Sequence, residues 1–117
     1  MQPVGRVPRM TTTTRAVVEA LLAVFDEKRT EGLYGLQIAE ITGLLPGTTY
    51  PILQRLLALG WVVDETEDID PVREKRPRRR LYRLTPGGVE AARSALDLAD
   101  ARRASPRARL RPVEGTG

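Results

Sequence analysis

The sequence predicts a mainly α-helical domain with one small β-hairpin, in the order helix, helix, helix, strand, strand, helix. Three observations carry that prediction. Apolar residues recur at helical spacing in four stretches, each closed by a stop signal. The second and third stretches are joined by a tight link at Gly43-Leu44-Leu45-Pro46-Gly47. Two short apolar segments, Trp61-Val62-Val63 and Leu81-Tyr82-Arg83-Leu84, flank a long charged stretch. Two helices on a tight link read as a helix-turn-helix. Two strands around a charged loop, directly after it, read as a wing. The fold class expected is therefore a winged helix-turn-helix.

Each element has a local reason. Residues 1–14 are polar and aperiodic and read as a loose arm, with Thr13 or Thr14 able to cap the first helix. From Arg15 to about Lys28, the residues Val17, Val18, Leu21, Leu22 and Phe25 share one face, and Glu31-Gly32 follows as the stop. A second helix fits Gly35 to Thr42, with Leu36, Ala39 and Ile41 inward and Gly43 as a left-handed stop. The third runs to about Leu59, with Tyr50, Leu53, Leu56 and Leu57 inward and Gly60 past its end. Pro51 is placed in its first turn, where a missing amide costs little. Asp64 to Arg80 is too long for a tight turn, and Pro71 and Pro77 keep it out of regular sheet. Thr85-Pro86 opens the last helix, Thr as cap and Pro at the first helical position. That helix runs from about Gly88 to Arg103, where Val89, Ala92, Leu96 and Ala99 form a stripe with Ala95 and Leu98 beside it. Residues 15–86 then form the winged helix-turn-helix, 87–104 a dimerisation helix, and 105–117 a disordered tail.

Composition removes whole classes of function. The 117 residues suit one domain and include no Cys and no His. Disulfides, thiolate nucleophiles, imidazole bases and most zinc or copper sites are thereby excluded within one chain. Asp and Glu are plentiful, but no pair stands out from surface charge. Gly87-Gly88 lacks the other glycines of a phosphate-binding fingerprint. No catalytic residue, metal site or cofactor is expected, and the chain does not read as an enzyme. No apolar run approaches the roughly 20 residues of a membrane helix. The first ten residues lack the apolar centre of a signal peptide, so a cytoplasmic protein is expected. Aromatics are few, namely Phe25, Tyr34, Tyr50, Trp61 and Tyr82, which argues against an aromatic-lined ligand cavity. The net charge is +4, and Lys28 and Lys75 are the only Lys among 19 basic residues. Arg grips phosphate with a planar fork of donors; a GC-rich genome would enrich Arg as well.

Five groups of residues carry the functional possibilities. The third helix presents Thr48, Thr49, Gln54 and Arg55 opposite Leu53 and Leu57. Arg can pair with guanine, Gln with adenine, and a Thr methyl can meet the thymine methyl. The amides near Gly47 and Thr48 sit at a helix start, which attracts phosphate. The plainer alternative is a solvated helix face. In the wing, five acids lie at 64, 65, 67, 68 and 70, and seven bases at 73, 75, 76, 78, 79, 80 and 83, with Glu74 among them. Either Asp64 and Glu65 pair with Arg79 to Arg83 across the strands, or the tip projects beyond the pairing and reaches a phosphate backbone or minor groove. The wing candidates are Arg73, Lys75, Arg76 and Arg78 at the tip, with Arg79 and Arg80 behind it. The acids themselves face away from DNA, shield the tip, or are neutralised by neighbouring Arg. The last helix either packs on the first within one chain or covers a symmetric partner, giving Val17, Leu21, Val89, Ala92, Leu96 and Ala99 as dimer candidates. The tail, with Arg102, Arg103, Arg107, Arg109 and Arg111 against Glu114, adds salt-dependent affinity for DNA or serves solubility alone.

Several segments together resemble the PadR family of bacterial regulators. They are Leu33-Tyr34-Gly35-Leu36, Pro46 to Leu56, Leu59-Gly60-Trp61-Val62, and Arg79 to Gly88. The resemblance spans about Arg15 to Ala99. It implies a dimeric winged-helix repressor that binds double-stranded DNA at a pseudo-palindromic operator and resides at the bacterial nucleoid when bound. It implies Thr48, Tyr50 and Arg55 as DNA contacts or their supports, and Val89 to Ala99 as the dimer element. With one helix after the wing, the chain resembles the short subtype. Leu45 stands where the family often carries Ser ahead of the Pro-Gly turn. The last helix holds no aromatic residue, so no small-molecule effector is named. The reading from another class is a winged-helix protein-interaction module without specific DNA readout, which would more often show an apolar patch on the third helix.

Overall fold

The computed structural model describes residues 8–28 and 31–104. The expectations for residues 1–7 of the arm and for the tail from 105 onward lie outside them. The order is α1 (Thr12–Asp26), β1 (Leu33–Tyr34), α2 (Gly35–Thr42), α3 (Pro46–Ala58), β2 (Val62–Thr66), α4 (Pro71–Glu74), β3 (Arg80–Leu84) and α5 (Pro86–Ala104). The sheet is antiparallel, ordered β1-β3-β2, so the expected hairpin gains a third, two-residue strand on its far edge.

α1 begins earlier than its apolar pattern does. Thr11 is the cap, its hydroxyl oxygen accepting from the Thr14 amide at 3.2 Å, in place of the expected Thr13 or Thr14. Any hydroxyl of the Thr11-Thr14 run could serve as acceptor; the one that does lies just outside the helical dihedrals, as the cap position requires. α1 packs against α2, α3, β3 and α5. Val17, Val18, Leu21 and Leu22 are buried as expected, together with Ala20 and Val24. Phe25 is exposed instead, because α1 ends there beside an open cavity.

α2 differs from its expected facing. Gly35, Ile38 and Ala39 turn inward, whereas Leu36 and Ile41 are exposed. Apolar residues lie all round this helix, so periodicity could not choose between its sides. Gly43 closes it in the left-handed conformation, its amide donating to the Ala39 carbonyl at 2.9 Å.

The core is one cluster drawn from every long element, with Leu53 and Leu56 of α3, Trp61, Val62, Tyr82 and Leu84 of the sheet region, and Val89, Ala92 and Ala95 of α5. α5 runs antiparallel to α1, tied by Arg15–Asp100 at 2.8 Å and by Arg93–Asp26. The first part of its apolar stripe, Val89 and Ala92 with Ala95 beside them, belongs to this chain's own core. Val17, Leu21, Val89 and Ala92 are all buried within the single chain, which removes them as dimer contacts. Leu96 and Ala99 are half-buried.

The start of α5 is fastened where the sheet begins. Thr85 donates its amide to the Trp61 carbonyl at 2.9 Å and its hydroxyl to the Gly60 carbonyl at 3.0 Å. The same hydroxyl oxygen accepts from the Gly88 amide at 2.8 Å, the capping bond expected of Thr ahead of Pro. Gly88 is pressed against this junction: a Cβ there would lie 2.0 Å from the Trp61 carbonyl oxygen. Gly88→Ala should therefore destabilise the fold by about 1–3 kcal/mol through forced backbone displacement. Thermal unfolding checks this, and an unchanged midpoint would remove the junction's importance.

Candidate nucleic-acid interface

α3 supplies the exposed surface. Thr49, Ile52, Leu53 and Leu56 face inward, and Gly47, Tyr50, Pro51, Gln54, Arg55 and Ala58 are exposed. Those exposed positions fall three and four residues apart, the spacing of one helix face. Thr48 is half-buried at its edge. The structure corrects two sequence assignments. Thr49 is wholly buried, its hydroxyl donating to the Leu45 carbonyl at 3.1 Å, so it cannot touch a base. Tyr50 does not enter the core; 38% exposed, its ring lies across Gly35, where a Cβ would come within 2.5 Å of it. A small Thr fits the close crossing of α2 and α3 better than a phenol, which moves to the rim.

Pro51 is also placed differently. α3 starts at Pro46, making Pro51 its sixth residue. It therefore has no amide to give the Gly47 carbonyl, four residues back, rather than sitting harmlessly in the first turn. Leu45 takes the cap position without a side-chain hydrogen bond. Arg55 lies in the last turn of α3 and Gln54 beside it, so this face carries its polar groups at the second half and its open backbone at the first.

The wing is more ordered than an irregular loop. β2 and β3 pair from Val62↔Leu84 to Thr66↔Arg80, and the pairing continues as the Glu67 amide donates to the Arg79 carbonyl at 2.8 Å. Beyond lies α4, a single turn that the sequence pattern does not predict. Its signal is nevertheless present in Asp70-Pro71: a capping carboxylate followed by Pro at the first position. Asp70 accepts from the amides of Val72 at 3.0 Å and Arg73 at 3.4 Å.

Most of the acidic half is occupied by the wing's own cations. Asp64 holds Arg80 at 2.8 Å, and Glu65 holds Arg83; both are diagonal pairs across the two strands. Glu67 takes both terminal nitrogens of Arg76, at 2.6 and 3.0 Å. Arg79 stacks over the Tyr34 ring, 4.3 Å from its centre, and Arg78 donates through Nε to the Ile69 carbonyl at 3.0 Å. The tip thus does not project as one basic block. Arg76 and Arg80 turn back into ion pairs, while Arg73 and Lys75 are exposed with no ion pair among the described residues.

A cavity of about 800 Å³ opens on another side of the domain, lined by Leu21, Val24 and Phe25 of α1, by Tyr82 and Leu84 of β3, and by Glu65, Arg83 and Pro86 at its rim. No described helix is long and apolar enough to cross a membrane.

The family model for the transcriptional regulator PadR-like family matches residues 21–94, from within α1, through the helix-turn-helix and wing, into α5. The chain belongs to that family. PadR-like proteins are DNA-binding transcription regulators, and this PadR-like chain has the winged-helix architecture. Solved winged-helix regulators share its architecture. The Staphylococcus aureus MepR–DNA complex has a TM-score of 0.59 at 15% identity, covering 92% of this chain and 78% of that one. PcaV of Streptomyces coelicolor, solved with its natural ligand, has a TM-score of 0.56 at 20% identity, covering 95% of this chain and 73% of that one. A MarR-family regulator from Rhodococcus sp. RHA1 has 0.53 at 21% identity, covering 92% and 71%. No curated protein matches the sequence.

The Arg76 guanidinium holds the Glu67 carboxyl below the usual glutamate range, helped by the Arg79 amide and opposed by partial desolvation. A lowered carboxyl adds stability that is present above its unfolded value and lost as pH falls through the folded one. The Glu67 carbon resonance should therefore titrate below the ordinary value of about 4.3. A midpoint at or above that value would mean the ion pair does not form in solution.

Proposed function

We propose that this PadR-like chain is a repressor that binds a pseudo-palindromic operator as a homodimer, with α3 in the major groove and the wing on the flanking backbone. The observation that supports it best is the two-sided construction of α3. One face is sealed into the core, and the other offers Gly47, Tyr50, Gln54 and Arg55 with Thr48 at its edge. Bases are read by Gln54 and Arg55, whose side chains match adenine and guanine edges; Gly47, Thr48 and Tyr50 lie against the backbone. Arg73 and Lys75 are the wing's principal phosphate contacts, with Arg78 and Arg79 behind them. Arg76 and Arg80 have their charge already matched. The dimer surface is the exposed edge of α5 at Leu98, with Leu96 and Ala99, continuing to Phe25 of α1. The protein works in the bacterial cytoplasm, at the nucleoid when bound.

A second reading, a protein-interaction module without DNA readout, draws on the exposed Leu36, Ile41 and Leu45 of α2 and its link to α3. Titration of the protein against DNA from its own upstream region and against scrambled DNA, over a salt series, separates the two. Preference for the upstream DNA with a steep salt slope supports the regulator. Equal weak binding to both sequences favours the interaction module.

Arg55→Ala should weaken binding to the preferred site by about 1–3 kcal/mol and leave scrambled DNA unaffected; an unchanged preference would remove Arg55 as a base contact. Neutralising Arg73 and Lys75 together should lower the salt slope by roughly two, near one unit for each phosphate left without its cation. Neutralising Arg80 should leave the slope as it is. Leu98→Asp should give monomers by sedimentation at concentrations where the parent protein is dimeric, with an unchanged circular dichroism spectrum. A variant that stays dimeric would place the interface elsewhere.

A further inference from the structure

The wing is held at two points by residues that lie outside the proposed DNA-reading face. The first is Glu67, placed where regular strand pairing ends. Its carboxylate accepts from Arg76 at 2.6 and 3.0 Å and from the Arg79 amide at 3.3 Å, while its own amide donates to the Arg79 carbonyl at 2.8 Å. One side chain thus closes the loop that carries α4 and the tip. Charge-assisted, forked bonds of this kind are the stronger class of hydrogen bond. The second is Tyr34, whose ring lies under the Arg79 guanidinium at 4.3 Å. Tyr34 ends β1 and leads directly into α2, and Gly35 beside it carries the Tyr50 ring of α3. A line of contacts therefore runs from the wing through Arg79, Tyr34 and Gly35 to Tyr50.

A free loop from Glu67 to Arg79 would sample many positions, and ordering it on DNA would cost affinity. We propose that Glu67 and Tyr34 are positioning residues that lock the wing to the helix-turn-helix before DNA arrives, so that Arg73 and Lys75 stand at a fixed place relative to α3. The proposal rests on the regulator reading for its DNA consequence, but the lock itself is a property of the free protein.

Three variants test it: Glu67→Gln, which keeps the shape and removes the charge; Tyr34→Leu, which removes the ring; and Tyr34→Phe, which restores it. Limited trypsin digestion is followed by mass spectrometry, comparing cuts between residues 73 and 80 with cuts elsewhere in the chain. Binding to the chain's own upstream DNA is measured alongside. Glu67→Gln and Tyr34→Leu should be cut in the wing roughly tenfold faster relative to the other sites, as local opening becomes easier, and Tyr34→Phe should match the parent. Tyr34→Leu should also lose several-fold affinity with the salt slope unchanged, because the cations remain and only their ordering is lost; Glu67→Gln unmatches Arg76 as well, so the digestion ratio is its readout. Wing cutting at the parental ratio in both variants overturns the proposal, as does a uniform rise at every site, which would show general destabilisation. If the parent protein does not prefer the upstream DNA, the regulator reading falls, and the digestion ratio still decides the lock.

Discussion

The hydrogen bond from the Thr85 amide to the Trp61 carbonyl lies where four elements meet. α3 has just ended, β2 is about to begin, β3 has just ended and α5 starts. With the Thr85 hydroxyl on the Gly60 carbonyl and the Gly88 amide on that hydroxyl, the wing is closed at its root. Trp61 is thereby held fully inside the core, and the direction of α5 is set. Closing the hairpin here brings Tyr82 and Leu84 to the inner side of the sheet. It also fixes the end of α3 against that sheet. The angle between α3 and the wing follows from this small knot of polar groups, and the apolar core fills in around it.

Much of this is legible in the residues. Thr85-Pro86 announces the start of the last helix, Gly43 and Gly60 the ends of the second and third, and the tight link between those two the helix-turn-helix. What escapes does so for physical reasons. Thr49 and Tyr50 exchange their expected roles because helix rotation is settled by the partner's shape, here the notch at Gly35, and single-chain periodicity does not contain the partner. α2 is apolar all round, so its pattern leaves the inner side undetermined. The apolar stripe of α5 looks surplus in the sequence, whereas the small core made by three short helices and a narrow sheet needs that stripe to be completed. β1 is two residues long and leaves no pattern to detect.

The charges of the wing show why a local count of residues is a poor guide to electrostatic surface. Acidic and basic halves face each other across β2 and β3, so three carboxylates and three guanidinium groups are matched inside the hairpin. Exposed pairs of this sort contribute little to stability one at a time. Their effect is selective: they determine which cations are occupied and which face outward. An acidic strand beside the cationic tip is then no contradiction of the proposed DNA contact. It leaves the tip with a few outward cations, and on that proposal it would reduce indiscriminate attraction to polyanions.

The length of α5 gives the junction at Thr85 mechanical meaning. Its 19 residues extend about 28 Å at the ordinary helical rise, and the inner half is embedded while the outer half rests on α1 through Arg15–Asp100. The helix is a rigid arm with its fulcrum at the root of the wing. A tilt of about 5° would carry its far end through roughly 2.5 Å over that length. Conversely, a displacement of that size imposed at the far end would correspond to a rotation of about 5° at the root of the wing.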